Sequence, residues 1–320
     1  MKQIKDQLIP GLHLAIVANF SGGCGGSMLA LEAYAACKSL GIPALLATND
    51  HSHVYQNMGS DLRRLPVITG EPGQDQMHYL DDIKQMVAEA RARIKFLIVD
   101  IKAGYASAHR MLNALQDGGA FASSSVAALL PVISGDHGVC GAAIALKTME
   151  DMGIKVERGI IRMWTLPRST TMPDIYELPQ FPIWSVAHLP QHARVMINRG
   201  YWNVRLARIQ LIFQCPALDR ITLHTVIAHF DTAQSAIYDA IIAPITRSYP
   251  GPIPTRMPDL IPKHAVVQFT NVGENSSTES SGNDSTRKQP RSRDHCHNDR
   301  WKAHALASFR SMDRLYSETW

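Results

Sequence analysis

Short apolar runs alternate with segments of helical periodicity along most of the chain. Such runs are typical of buried strands, whereas apolar residues three and four positions apart indicate helices. The sequence predicts strands at 12–18, 43–48, 95–100, 127–134 and 157–164. It predicts helices at 27–40, 79–94, 106–115 and 141–153. Because strands and helices alternate, we predict βαβ units that form a mostly parallel sheet with helices on both faces.

The pattern changes after residue 180. Segment 181–190 predicts a late strand and a loop, 191–202 a helix, and 223–245 a long closing helix. From about Ser248 the chain is proline-rich and then polar, with too few apolar residues to offset the entropy of ordering. We therefore predict a folded domain at 8–246 and a disordered tail at 247–320.

The amino-acid composition limits the classes of protein to which the chain can belong. With 45% hydrophobic and 19% charged residues, the chain has the balance of a globular protein. No apolar run reaches the roughly 18 residues of a membrane span. The five cysteines include no CxxC pair, which favours a reducing, cytoplasmic setting over a disulfide framework. Residues 285–320 carry eight Lys or Arg against four Asp or Glu, a net charge of +4 that equals the net charge of the whole chain.

A glycine-rich stretch, "NFSGGCGGSM" at 19–28, follows the first predicted strand and precedes the first helix. Glycines allow positive φ, so that backbone N–H groups converge on an anion, and the following helix N-terminus adds its dipole. Phosphate-binding loops of this kind usually place a lysine just before the Ser or Thr that ligates Mg²⁺. Here Gly26 precedes Ser27. The stretch alone leaves open a phosphate site and a tight turn that binds nothing.

Four segments, in this order, carry a family resemblance. The loop Ser21–Ser27 has the register of the form K-G-G-x-G-K-[ST]. "ATND" ends the second strand in Asp50, and "FLIVDIKAG" ends a later strand in Asp100 with Gly104 in the turn. "SVAHLPQHARVMINRGYW" gives a late strand, a loop with Pro190, and a helix. Over 12–245 the chain thus resembles the ParA/MinD group of P-loop ATPases, and within it the StbB-like plasmid stability and partition proteins.

The resemblance implies a three-layer P-loop NTPase fold and a site for ATP and Mg²⁺. Ser27 and Asp100 would hold the metal, and Asp50 would position or activate the attacking water. Pro190 would lie near the base. The nucleotide-binding residues implied are Ser21, Gly22, Gly23, Cys24, Gly25, Gly26, Ser27, Met28 and Pro190.

The chain departs from this family at both lysine positions, which Ser21 and Gly26 occupy. Because phosphoryl transfer depends on neutralising the developing charge, the loss of these lysines should impair hydrolysis and weaken triphosphate binding. Lys102, two residues after Asp100, is either a substitute charge or a solvated loop lysine.

The function implied is plasmid or mobile-element partition or stability in bacterial cytoplasm, through a nucleotide-dependent homodimer and partition or conjugation partner proteins. Two alternatives stay open: a catalytically inactive pseudo-ATPase adaptor, and an unrelated Rossmann-like enzyme. The basic tail is either a solvated extension or a non-specific, salt-sensitive DNA contact.

The histidine clusters at 51–53 and 295–297 lack partner ligands at zinc-site spacings, and no G-x-S-x-G elbow indicates a serine hydrolase. "GDHG" at 135–138 is interpreted as a cap of the following helix.

Overall fold

The structure is a computed structural model, and it describes residues 6–50, 52–65, 75–93, 96–133, 136–165, 178, 181–187 and 189–246. The predicted tail at 247–320 lies outside the described residues. Leu8 forms an antiparallel bridge with Thr246, so the two ends of the predicted domain lie side by side.

Within these residues, seven strands form one sheet in the order β3-β2-β4-β1-β5-β6-β7, and every neighbouring pair is parallel. The strands are β1 Leu12–Val17, β2 Ala44–Thr48, β3 Leu62–Arg64, β4 Phe96–Asp100, β5 Ser124–Ile133, β6 Val156–Thr165 and β7 Ile183–Ala187. β1 and β2 are not neighbours, because β4 lies between them. This order differs from the 3-2-1-4-5-6 arrangement of a dinucleotide-binding Rossmann sheet, in which strands 1 and 2 pair.

Seven α-helices cover this sheet in the described part of the chain. They are α1 Gly26–Ser39, α2 Asp75–Arg93, α3 Tyr105–Asp117, α4 Asp136–Asp151, α5 Gln191–Met196, α6 Val204–Phe213 and α7 Ala217–Ile237. The segment Ile197–Tyr201 continues α5 and is kinked at Gly200, whose φ of 94° is not helical.

Two hydrophobic cores lie on opposite faces of the sheet, because side chains alternate along each strand. On β1, Ala15 and Val17 face α1, α5, α6 and α7, whereas Leu14 and Ile16 face α2, α3 and α4. The predicted three-layer α/β fold with a mostly parallel sheet is therefore confirmed.

Several boundaries predicted from periodicity were wrong. The helix predicted at 141–153 begins at Asp136, and the closing helix predicted at 223–245 begins at Ala217 and gives way to a π-helical turn at Tyr238. The first turn of α4 is polar, and in the first turn of α7 Asp219 and Arg220 interrupt the apolar pattern, so that periodicity places both starts too late. Periodicity also missed β3, which is only three residues long, and α6. None of the helices in the described ranges combines the length and hydropathy of a membrane span.

Candidate functional site

The glycine loop joins the end of β1 to the start of α1. Gly23 and Gly25 have φ of 78° and 84°, in the left-handed region that favours glycine. Gly25 is the N-cap of α1, and its carbonyl accepts the N–H of Leu29 at 3.0 Å. The chain thus turns sharply at the carboxyl end of a central strand, which leaves the N-terminus of α1 directed at the loop.

Asn19 holds the start of the loop in place. Its buried Nδ2 donates to the carbonyls of Pro131 at 2.5 Å and Gly138 at 3.0 Å, and its Oδ1 accepts the N–H of Ser21 at 2.8 Å. A Cβ on Gly141 would lie 2.2 Å from Ser21 Oγ, so that helix α4 approaches the loop only because residue 141 is glycine. The sequence analysis missed Asn19, although it directly precedes the loop.

Three predicted site residues meet beside this loop. Ser27 Oγ donates to Asp50 Oδ2 at 3.0 Å, which joins the start of α1 to the residue that follows β2. Asp100, at the end of β4, is buried with a relative exposure of 3%. Its Oδ1 faces Gly26, where a Cβ would lie 3.6 Å away.

The other carboxylate oxygen of Asp100 is held by two hydroxyl groups. The Tyr55 hydroxyl donates to Oδ2 at 2.5 Å, and the Thr48 hydroxyl donates to it at 3.3 Å. Burial raises the pKa of Asp100 to about 6, the nearby charge of Asp50 adds to this, and the hydrogen bonds from Tyr55, Ser27 and Thr48 oppose it. Sequence reasoning missed Tyr55, because it comes from a short turn that only the fold brings beneath Asp100.

A cavity of about 350 Å³ opens at this edge of the sheet. Asp50 and Asp100 line it, together with most of the predicted binding residues: Ser21, Gly23, Cys24, Gly25, Gly26, Ser27 and Met28. Gly22 and Pro190 do not line it, although Pro190 is the N-cap of α5, which does reach it through Arg194.

The oxygen atoms at this edge suit a hard divalent cation. A serine hydroxyl and two carboxylates, from Ser27, Asp50 and Asp100, line one cavity next to the loop. Mg²⁺ prefers oxygen ligands of this kind and usually binds through one or two carboxylates together with substrate phosphates. The residues therefore fit the metal that the resemblance implies.

Positive charge at the cavity comes from a residue that the sequence analysis missed. Lys102 is exposed and does not line the cavity; its backbone N–H donates to Asn49 Oδ1 at 2.6 Å. Arg194, on α5, is the one Lys or Arg among the described residues that line it. No local motif marks Arg194, since it lies in a helix 167 positions after Ser27.

A buried charge cluster lies behind the loop. Glu32 on α1 and Arg162 on β6 form an ion pair, and both side chains have 0% exposure. His229 of α7 lies 2.7 Å from Glu32 Oε1. The Arg162 guanidinium stacks 4.6 Å from the ring centroid of Trp164, and that ring lines the cavity. The cluster thus connects α1, β6 and α7 to one wall of the candidate site.

No family model and no curated protein matches the chain. Among solved structures, MinD in the MinC:MinD cell division complex of Aquifex aeolicus is 14% identical with a TM-score of 0.45, over 68% of this chain and 96% of that one. MinD complexed with Mg-ADP from Pyrococcus horikoshii OT3 is 13% identical with a TM-score of 0.44, over 71% and 95%. A ParA family ATPase from Chlorobium tepidum TLS is 11% identical with a TM-score of 0.41, over 68% and 98%.

Proposed function

We propose that this protein binds ATP with Mg²⁺ and acts in the cytoplasm in the partition or stability of a bacterial plasmid or another mobile element. The observation that carries the proposal is the joint lining of one cavity by the glycine loop, Ser27, Asp50 and Asp100. The loop and the N-terminus of α1 supply an anion site, and the serine and the two carboxylates supply a cation site beside it.

Each residue has a role in this proposal. Backbone N–H groups of residues 22–28 hold the phosphates, and Ser27 and Asp100 hold Mg²⁺. The bound metal would neutralise negative charge on the phosphate oxygens. Asp50, whose carboxylate accepts the Ser27 hydroxyl, would orient a water molecule. Tyr55 and Thr48 fix the Asp100 carboxylate, so that its other oxygen stays directed at the loop.

Nucleotide binding would control the association of two copies of the chain, as the resemblance implies, and the dimer would engage a partition or conjugation partner. The basic residues between 285 and 320 would add a non-specific contact to DNA. Because Gly26 replaces a lysine, turnover of ATP should be slow.

Gly26 also favours a second candidate function, a pseudo-ATPase adaptor that binds its partners without hydrolysis. The two candidates share a fold and differ in what the cavity does. Nucleotide-independent partner binding would distinguish the adaptor from the nucleotide-controlled protein.

Calorimetry of Mg-ATP binding, with turnover followed in parallel, tests the proposal. We expect binding by the wild type and a loss of at least tenfold in Ser27→Ala, whereas Ser39→Ala, at the other end of the same helix, serves as the matched control. If the wild type binds nothing and Gly26→Lys binds, the adaptor function holds. If neither protein binds, the loop is only a turn and the proposal of a nucleotide site is wrong.

The cellular role needs its own measurement. Loss of a plasmid that carries this gene is followed over generations without selection, with the wild-type gene, with Ser27→Ala and with Ser39→Ala. We expect faster plasmid loss with Ser27→Ala only. Equal retention with the gene deleted would contradict a role in partition or stability.

A further inference from the structure

We propose that Arg194 supplies the positive charge that Gly26 cannot, by contacting the terminal phosphates of the bound nucleotide from α5. This inference rests on the proposed function. It identifies Arg194 as the cation of the site, on helix α5, which is far from the loop in sequence.

In the part of the chain that the structure describes, the charged residues that line the cavity are two carboxylates and one arginine. Asp50 and Asp100 line the cavity, and one divalent cation would offset only their two negative charges, which leaves the charge of a polyphosphate without compensation. Arg194 is the only Lys or Arg on the cavity wall among the described residues. An arginine suits this role because its planar guanidinium donates two parallel hydrogen bonds to phosphate oxygens.

Helix α5 is held against the core beside the cavity. Ala193, Met196 and Ile197 are buried in the core shared with α1 and α7, so the short helix is fixed while Arg194 stays exposed. Asn57, which follows Asp50 in a turn, donates to the carbonyl of Asn198 and ties this region to the Asp50 side of the cavity. Arg194 therefore projects from a fixed element toward a site built by β1, β2 and β4.

Other basic groups nearby are already engaged. Arg64 Nη1 donates to the carbonyl of Asp50 at 2.5 Å and does not line the cavity. Arg162 is paired with Glu32, is fully buried, and does not line the cavity either. Arg194, by contrast, has no ion-pair partner among the residues that the structure describes. Its guanidinium is thus available to a ligand.

The test compares Mg-ATP, Mg-ADP and AMP binding by the wild type, Arg194→Gln and Arg194→Lys. Arg199→Gln, an exposed arginine in the turn after α5 that does not line the cavity, is the matched control. We expect Arg194→Gln to lose about 10- to 100-fold in ATP affinity, as hydrogen bonds to charged groups imply. The loss should be smaller for AMP, and Arg194→Lys should retain part of the affinity.

A second measurement places the positive charge in the loop instead of on α5. Its result would not change if Arg194 had only a structural role. Gly26→Lys combined with Arg194→Gln should recover ATP affinity, because a lysine in the loop reaches the same phosphates. Unfolding in urea checks that Arg194→Gln is folded; because the substitution is at the surface, we expect its urea midpoint to match that of the wild type.

The outcomes separate the two proposals. If the wild type binds Mg-ATP and Arg194→Gln binds it equally well, the role of Arg194 is wrong and the nucleotide site stands. If Arg194→Gln loses the same factor for ATP and AMP, Arg194 does not contact the terminal phosphates and the inference is also wrong. If the wild type binds no nucleotide, the proposed function fails, and the inference fails with it.

Discussion

Arg162 Nε lies 2.7 Å from Glu32 Oε2, and neither side chain is exposed to solvent. Arg162 Nη2 also donates to Glu32 Oε1 at 2.8 Å, so a hydrogen bond adds to the charge contact of the pair. It joins strand β6 to helix α1, whose first turn belongs to the glycine loop. The pair therefore links the stability of the fold to the geometry of the candidate site.

Removing one partner of this pair should destabilise the protein strongly. We expect Glu32→Ala to lower the free energy of unfolding by about 3–5 kcal/mol, because it leaves the Arg162 charge buried without compensation. Urea unfolding measures the change. Lys38→Ala is the control on the same helix: the Lys38–Asp61 pair is 40% exposed on both sides, so its loss should cost less than about 1 kcal/mol.

A double substitution separates charge from packing. Glu32→Leu with Arg162→Met removes both charges and keeps apolar volume, so it should recover much of the loss. Equal destabilisation by Glu32→Ala and Lys38→Ala would show that the buried pair contributes no more to the free energy of unfolding than the exposed pair.

Asp100 should make stability depend on pH. Its pKa is raised to about 6 from 3.8, mainly by burial, so the folded state binds a proton more tightly than the unfolded state. The contribution of Asp100 to the free energy of unfolding is fully present below the unfolded pKa. It is lost as pH rises through about 6, and the total loss is about 3 kcal/mol. Between pH 4 and pH 7 we expect the free energy of unfolding of Asp100→Asn to rise by this amount relative to that of the wild type.

The measurement is urea unfolding from pH 4 to pH 8 in magnesium-free buffer. Asp81→Asn, which removes an exposed carboxylate of α2, controls for the loss of one negative charge. A constant difference between Asp100→Asn and the wild type across this range would contradict the assignment of the titration to Asp100.

Gly25 should tolerate no side chain. Its φ is 84°, and a Cβ there would lie 2.7 Å from Cζ3 of Trp164. We expect Gly25→Ala to lower the free energy of unfolding by about 2–4 kcal/mol, as the sum of backbone strain and overpacking. Gly41→Ala is the matched control, because Gly41 has φ of 70° with nothing within 4 Å of its Cβ position, and only the backbone term applies.

A second variant identifies the clash. Trp164→Ala combined with Gly25→Ala should cost less than the sum of the two single changes, since the ring that blocks the Cβ is gone. Additive losses in this cycle would mean that Gly25 is required for its backbone conformation alone.

Trp164 should report on the cavity. Its ring lines the cavity beside Gly25, so a bound nucleotide would change its surroundings. We expect Mg-ATP to change the intrinsic fluorescence of the wild type, and Trp164→Phe to lose that change. Trp184→Phe is the control, because Trp184 is buried and does not line the cavity. A response that persists in Trp164→Phe and disappears in Trp184→Phe would contradict this placement.

The sequence was sufficient for the α/β class and for the glycine loop, since both depend on local patterns. Helix and strand periods differ, and the loop is a contiguous stretch between two elements. Helix starts were less predictable: α4 begins at Asp136 with a polar turn, and α7 begins at Ala217 with a turn that Asp219 and Arg220 interrupt. The tail at 247–320 stays a prediction.

Sequence by itself determined that Ser27, Asp50 and Asp100 follow or begin elements of a parallel sheet, which places them at its carboxyl edge. Only the tertiary structure decided that β4 lies between β2 and β1, so that Asp100 meets the loop and Tyr55 lies beneath it. The same holds for Arg194 and for the Glu32–Arg162 pair. Glu32 and Arg162 are 130 positions apart, and Arg194 lies 167 positions after Ser27. Long-range packing, which no local period encodes, brings these residues together.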